Sequence, residues 1–334
     1  SLSLAWFAVG GQKRAWMPGL FLTLYFGFFV LYGLYLVTFG TVQGKLIKPA
    51  RRGRLIVLST FWGAAPATLL AIWLMPGWLE SNPLKWGHVF CFVGACFCLS
   101  GLVALLVSEP KDPSARPTGR PLGSLADTAR VLGGDANLRR LVMVAFLLAC
   151  GLIIFPHYQA FARTRLAGGA THLVVWVVTQ NVAVAIFGLL VGPLADRRGY
   201  RLTLRLLIFG SAVAPVVALL LAQLPVGVSG YLFCLVFVPL GITPLVHRTL
   251  LNYALEICDP ESHPRYQAIV SLGVTVPFLL SPLAGWLVDL VGFRYVFSST
   301  VVVILLSGLL TFWLDEPRHR LDEEAQPMDL ATPE

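Results

Sequence analysis

A patterned group of charged residues in this 334-residue chain lies between two apolar runs. The stretch 192–204, GPLADRRGYRLTL, contains Asp196, Arg197, Arg198 and Arg201. Asp196 comes at the carboxyl end of a predicted helix, where the helix macrodipole disfavours an anion. Its carboxylate therefore needs compensation from a base or from the amino terminus of another helix. We predict that this stretch makes a polar contact between two helices.

A milder set of polar residues lies inside the apolar segments. A carboxylate within a membrane segment is the usual candidate for proton coupling, and the predicted segments contain none. The six histidines include no pair spaced four residues apart, so the sequence predicts no metal site, and it shows no cofactor motif. The remaining polar candidates for binding a ligand are Tyr32, Tyr35, His157, Gln159, Gln180 and Asn181.

These polar residues also have a purely structural interpretation. The tyrosines could pack or belong to an interfacial aromatic belt, and Asn181 could hydrogen-bond between helices. Pro156 precedes His157, and because proline lacks a backbone N–H we expect it to interrupt the helix there.

The composition of the chain indicates whether the protein lies in water or in a lipid bilayer. Hydrophobic residues make up 57% of the chain and charged residues only 13%, whereas a soluble protein has about 25% charged residues. Apolar stretches of about 20 residues, the length of a membrane-crossing helix, recur throughout. The sequence therefore predicts an all-α polytopic protein of the lipid bilayer. Nine complete spans are expected at 17–42, 55–75, 86–107, 138–162, 172–194, 202–223, 228–250, 266–288 and 294–314, with residues 1–9 as the end of a partial span in an N-terminally truncated chain.

The net charge of +8 follows the membrane topology and does not indicate nucleic-acid binding. Loops assigned to one side carry 19 Lys and Arg residues, including two in 247–266, and loops on the other side carry six. This asymmetry predicts that the richer side is cytoplasmic. The carboxyl terminus then lies in the cytoplasm, and the protein lies in the plasma or inner membrane.

A polar break divides the chain into two related halves. Arg54 precedes Pro66 by twelve residues and Arg265 precedes Pro277 by the same interval, and LSGL occurs at both 99–102 and 306–309. Both repeated segments begin on the same side, as parallel repeats do. We expect Asp135 to cap the helix that follows the break. The predicted divisions are 1–108 for the remainder of the first bundle, 109–137 for a cytoplasmic linker, 138–314 for a second bundle of six helices, and 315–334 for a cytoplasmic tail.

The charged stretch resembles a family signature. It matches the pattern G-x-L-A-D-R-x-G-x-R-x-x-L of the major facilitator superfamily, in the copy found in the second half of such proteins. The segment 281–297, SPLAGWLVDLVGFRYVF, resembles the family's passage into its last span. The resemblance implies two six-helix bundles, the first of them incomplete in this sequence. The matching residues are Gly192, Leu194, Asp196, Arg197, Gly199, Arg201 and Leu204, whereas Tyr200 stands where the family usually has a base.

The resemblance also implies a role for this stretch. In the family the acid docks against the start of span five, which here reads PARRGRL. We therefore expect a cytoplasmic gate that joins Asp196 to the helix start near Arg54, with Arg197 or Arg201 reaching Glu256. The alternative is that the arginines only set the membrane topology.

Transport of a small molecule by alternating access is the function that the resemblance implies, either secondary active or facilitative. The family's central cavity would then be lined by Tyr32, Tyr35, His157 and Gln159, with Gln180 and Asn181 near mid-membrane. The coupling ion could be H⁺ or Na⁺. A membrane enzyme would need a convergent catalytic or metal cluster, and the sequence shows none. A further alternative is a non-transporting or partner-dependent protein of the same fold, such as a sensor or a degenerate fragment.

Overall fold

The computed structural model describes residues 16–47, 51–79, 86–106, 125–165 and 171–316, and in these ranges the regular elements are helices. The partial span predicted at 1–9, most of the predicted linker and the tail after residue 316 lie outside the described residues. The first part of the chain contains α1 (Met17–Leu46), α2 (Arg52–Leu79), α3 (Trp86–Ala104) and the linker helix α4 (Leu125–Gly134). The second part contains α5 (Ala136–Leu152), α6 (Phe155–Arg165), α7 (Thr171–Arg198), α8 (Tyr200–Ser211), α9 (Val213–Leu221), α10 (Val226–Leu232), α11 (Cys234–Leu240), α12 (Thr243–Glu256), α13 (His263–Phe278), α14 (Ser281–Val291) and α15 (Phe293–Leu310), with 3₁₀ turns at Pro260–Ser262 and Thr311–Trp313.

Nine helical segments of the described ranges are long and apolar enough to cross a membrane, which confirms the predicted number of spans. Several of them contain a break. The span Ala136–Arg163 combines α5 and α6, and α6 begins at Phe155, directly before Pro156. The expected interruption at this proline is therefore confirmed. The seventh predicted span, 228–250, is misplaced, because the crossing segment is Cys234–Glu256.

The second half, from α5 onwards, has a continuous core. Leu138, Leu141, Ile208, Leu250 and Ile304 are among its fully buried aliphatic residues. Buried aromatic rings form a second cluster in which Trp176 stacks on Phe237 with ring centroids 5.3 Å apart. Ser307 adds a polar link between helices, since its hydroxyl donates to the Val144 carbonyl over 2.9 Å. We call this half the second unit.

The first unit consists of α1, α2 and α3. Aromatic contacts join α1 to α3, for example between Phe28 and Phe97, whose ring centroids are 5.3 Å apart. Large apolar side chains such as Phe26, Trp62 and Trp73 remain exposed, as expected for surfaces that face lipid tails.

The linker helix α4 docks on the second unit. Leu132 packs against the core, and the Arg265 guanidinium donates to the Asp127 carbonyl over 2.9 Å. Asp135 then caps α5, because its carboxylate accepts from the N–H groups of Asn137 and Leu138 at 2.9 and 3.0 Å. The predicted cap is confirmed.

The two units meet most extensively where α2 packs along α7. Small residues allow this close approach. A Cβ atom on Gly192 would lie 2.6 Å from the Gly53 carbonyl oxygen, and one on Gly188 would lie 2.8 Å from Thr60 Cγ2. Gly188 and Gly192 form the G-x-x-x-G spacing that brings membrane helices together.

The substitution Gly241→Ala tests the packing inside the second unit. A Cβ at this position would lie 2.8 Å from the backbone nitrogen of Val184, which side-chain rotation cannot relieve. We expect a destabilisation of about 1–3 kcal/mol, typical of overpacking, measured as a lower melting temperature in detergent. Gly63→Ala is the matched control, since nothing lies within 4 Å of its added Cβ. Equal melting temperatures for the two variants would contradict this packing.

Candidate functional site

The charged stretch forms a sharp reversal between two helices. Helix α7 runs through Pro193 and ends at Arg198, and α8 begins at Tyr200. Gly199 between them has a φ of +84°, a conformation that glycine adopts without steric cost. A side chain here would also collide with Glu316, whose Oε1 lies 2.6 Å from the position of a Cβ. The reversal therefore requires glycine.

Asp196 reaches across from the second unit to the first. Its Oδ1 accepts a hydrogen bond of 2.8 Å from the N–H of Gly53. Gly53 lies in the first turn of α2, where backbone N–H groups have no helical acceptor and the macrodipole attracts an anion. One contact thus satisfies an unpaired donor of α2 and compensates the carboxylate at the carboxyl end of α7. A Cβ on Gly53 would overlap the Asp196 carboxylate and the Gly192 carbonyl.

The basic residues of this region have different surroundings. Arg54 and Arg197 are exposed, and Arg201 donates to the Phe312 carbonyl within the second unit over 3.1 Å. The buried arginine is Arg52, and its charge interacts with Glu256. We call the end of the molecule where α2 begins and α7 ends the basic end.

A cavity of about 410 Å³ lies between the two units. It is bounded by helices α1 and α2 of the first unit and α12 and α13 of the second. Towards the basic end, Gln43 Nε2 donates to Asn252 Oδ1 over 3.1 Å, and Gly40 packs against the Gln267 side chain. Both contacts join the two units on the side of the cavity nearer the basic end. The cavity is lined by Tyr32, Tyr35, Phe39, Gly40, Gln43, Leu55, Ile56, Ser59, Pro244, His247, Arg248, Leu251, Asn252 and Gln267.

Arg248 is the principal charge in this cavity. Its Nη1 donates to Ser59 Oγ at 2.8 Å and to Thr60 Oγ1 at 3.0 Å, so the guanidinium spans both units. Sequence reasoning counted Arg248 among the loop charges of 247–266, although the predicted span 228–250 includes it. The missed signal is the spacing of four residues between Arg248, Asn252 and Glu256, which puts them on one face of a continuing helix.

Two of the predicted cavity residues lie beside Arg248. The phenols of Tyr32 and Tyr35 are its electrostatic neighbours. Their rings form part of a ladder along α1, with centroid separations of 6.1 Å between Tyr32 and Tyr35 and 5.6 Å between Tyr35 and Phe39. The cavity therefore combines one cation with an aromatic wall.

The other four predicted residues do not line this cavity. His157 lies near Gly285 and interacts with Asp289, towards the end opposite the basic end. Asn181 donates to the Val177 carbonyl of its own helix over 2.9 Å. Gln159 and Gln180 are half-buried elsewhere in the second unit. In the part of the chain that the structure describes, no group of three or more His, Cys, Asp or Glu residues could hold a metal ion.

The reversal at Gly199 has a counterpart at the other end of the second unit. The residues Gly285, Leu287, Asp289, Gly292 and Arg294 repeat the spacing of Gly192, Leu194, Asp196, Gly199 and Arg201. Gly292 has a φ of +83°, nearly that of Gly199, and likewise separates two helices. The same glycine-dependent reversal between two helices thus occurs twice.

The comparisons agree with this architecture. The Major Facilitator Superfamily model matches residues 166–331, a range that includes both reversals and Arg248. A similar solved structure is that of a bacterial homologue of the iron transporter ferroportin in an outward-facing state, with a TM-score of 0.58 and 15% sequence identity. The alignment covers 94% of this chain and 81% of that chain. No curated protein matches this chain.

The chain has the fold of a multi-pass membrane transporter, and it belongs to the major facilitator superfamily. It is a member of a transporter family and not an enzyme. At 15% identity the likeness to the ferroportin homologue concerns the fold alone.

Cys258 provides a chemical probe of the basic end. It follows α12, and its Sγ donates to the Ala254 carbonyl over 3.3 Å. Burial, with an added contribution from the Asp259 charge, raises the pKa of this thiol to about 12. Because the thiolate is the reactive form, the thiol is protected while this end stays closed.

We predict slow maleimide labelling of Cys258 in a variant that has no other cysteine. At pH 8 a pKa of about 12 leaves on the order of one thiol in 10⁴ ionised, so labelling should be at least ~100-fold slower than at an exposed cysteine. The control is Arg198→Cys in a cysteine-free background, because Arg198 is exposed. The Cys258 rate should rise with pH above 8. Similar rates at the two positions would show that the Cys258 thiol is not shielded and that its pKa is not raised.

Proposed function

We propose that this protein carries a small solute across the membrane by alternating access, with the first and second units moving about the central cavity. The observation that supports this is the cavity of about 410 Å³ at the interface of the two units. Contacts between the units lie on its basic-end side. Transport is secondary active or facilitative, since no phosphate-binding Gly-rich loop of the ATPase type occurs in the sequence.

The basic end acts as the gate in this proposal. Asp196, Gly192 and Gly53 make the contact between α7 and α2, and Gly199 sets the direction of the chain behind it. Arg54, Arg197, Arg201 and Glu256 supply the surrounding charges. Breaking these contacts opens the cavity on this side, which the excess of basic residues assigns to the cytoplasm.

Movement of the two units can be measured without knowing the solute. Spin labels at Arg51→Cys and Arg198→Cys, both exposed positions at the basic end, report the separation of the units in lipid nanodiscs. In a cysteine-free background, double electron–electron resonance should show two distance populations. A label pair at Arg139→Cys and Arg198→Cys, both within the second unit, should show one. A single narrow population for the first pair would contradict alternating access and favour a non-transporting protein.

The substitution Asp196→Asn should favour the state open at the basic end. The amide keeps an acceptor for the Gly53 N–H but loses the attraction of a charge to the amino terminus of α2, worth about 1 kcal/mol. We expect about a fivefold shift towards the longer distance. Asp127→Asn is the control, because the Asp127 carboxylate pairs with Arg130 on the same helix. An unchanged ratio in Asp196→Asn would refute the gate.

A further inference from the structure

Arg248 places a positive charge well inside the membrane-crossing part of the protein. It lies eight residues before the end of α12, which corresponds to about 12 Å of helix. Ionisable groups at such depth are costly, normally face a cavity and normally pair with an opposite charge. Arg248 lines the cavity between the units, so it faces a cavity as such a group is expected to do.

The partners of Arg248 are neutral. Its hydrogen bonds go to the hydroxyls of Ser59 and Thr60, and its electrostatic neighbours are the phenols of Tyr32 and Tyr35. Among the described residues that line the cavity, none is Asp or Glu. The described lining of the cavity therefore carries a positive charge that no carboxylate of that lining neutralises.

From this imbalance we propose that the transported solute is a small organic anion whose carboxylate or phosphate oxygens bind Arg248. The proposal rests on the transport function proposed above. A guanidinium has five N–H donors in a planar fork that matches these oxyanions. The two hydroxyls engage only Nη1, so the rest of the fork serves the solute.

The remaining walls define the body of the solute. Tyr32, Tyr35 and Phe39 present a ladder of aromatic rings along α1, against which a flat or apolar body can pack. Gln43 and Asn252 add amide groups on the side nearer the basic end. A cavity of about 410 Å³ lies at the lower end of the range for small-molecule sites, roughly 300–1,000 Å³. The solute is therefore small, about the size of a single-ring acid.

A divalent metal ion does not fit this cavity. Hard cations bind carboxylate and carbonyl oxygens, and transition metals bind clusters of imidazole, thiolate or carboxylate groups. The described lining offers no carboxylate or thiolate. Its single imidazole, His247, is next to the cation of Arg248, and the other side-chain carbonyls are the neutral amides of Gln43, Asn252 and Gln267. The cargo inferred here thus differs from the iron in the name of the similar transporter.

The proposal can be tested by ligand binding to the protein in nanodiscs. The probes are benzoate, succinate, gluconate and inorganic phosphate as anions, glucose as a neutral solute and Co²⁺ as a metal, each measured by titration calorimetry in a buffer of low chloride. We expect at least one anion to bind and neither glucose nor Co²⁺ to do so. Binding by the carboxylates alone or by phosphate alone identifies the oxyanion.

Two variants locate the binding group. Arg248→Gln should weaken the binding of that anion at least tenfold, and Arg248→Lys should restore part of it. Arg198→Gln, which removes an exposed charge outside the cavity, should bind like the unmodified protein. Binding of glucose or Co²⁺ alone, binding of no probe, or equal anion binding by Arg248→Gln would overturn the proposal.

The distance measurement separates this proposal from the proposed function. Two distance populations for Arg51→Cys and Arg198→Cys, together with no effect of Arg248→Gln on anion binding, would leave a transporter in which Arg248 is not the binding group for the solute. A single population would remove the transport function itself, whatever binds in the cavity.

Discussion

The backbone contact between α2 and α7 is the constraint on which the arrangement of the two units depends. Gly53 and Gly192 lie so close that neither position has room for a β-carbon. This proximity brings the first turn of α2 within reach of the Asp196 carboxylate. The same approach sets the depth at which Ser59 and Thr60 face α12. Without it, Arg248 would have no hydroxyl partners from the first unit.

The surroundings of each polar group in this molecule depend on its depth in the membrane. At the basic end, charges such as Arg54 and Arg197 are exposed, and hydration stabilises them. Deeper in the protein, polar side chains turn to the interface between the units and bond to one another, as Gln43 does with Asn252. The surfaces facing lipid are left to residues such as Phe26 and Trp73. Polar groups at this depth face the interface between the units because lipid cannot supply hydrogen-bond partners.

Hydropathy was sufficient to predict the nine spans, since burial in lipid imposes a length and a composition on each helix. The resemblance of the charged stretch also located the helix start that Asp196 contacts. Hydropathy ended the predicted span 228–250 six residues before Glu256, because Asn252 and Glu256 lower the local apolar character of this helix. His157 was expected in the cavity only because its span is one of those that line the cavity in the family. Its depth within the span follows from the helix break at Pro156 and from packing near Gly285, which span order does not determine.

The hydroxyl contacts of Arg248 have a thermodynamic consequence. One guanidinium joins the two units through Ser59 and Thr60 and also supplies the charge in the cavity. Any ligand of this group therefore alters the free energy of the contact between the units, and the contact alters the affinity for the ligand by the same factor. In the proposed transport cycle, occupancy of the cavity and the balance between conformations are therefore coupled through this one side chain.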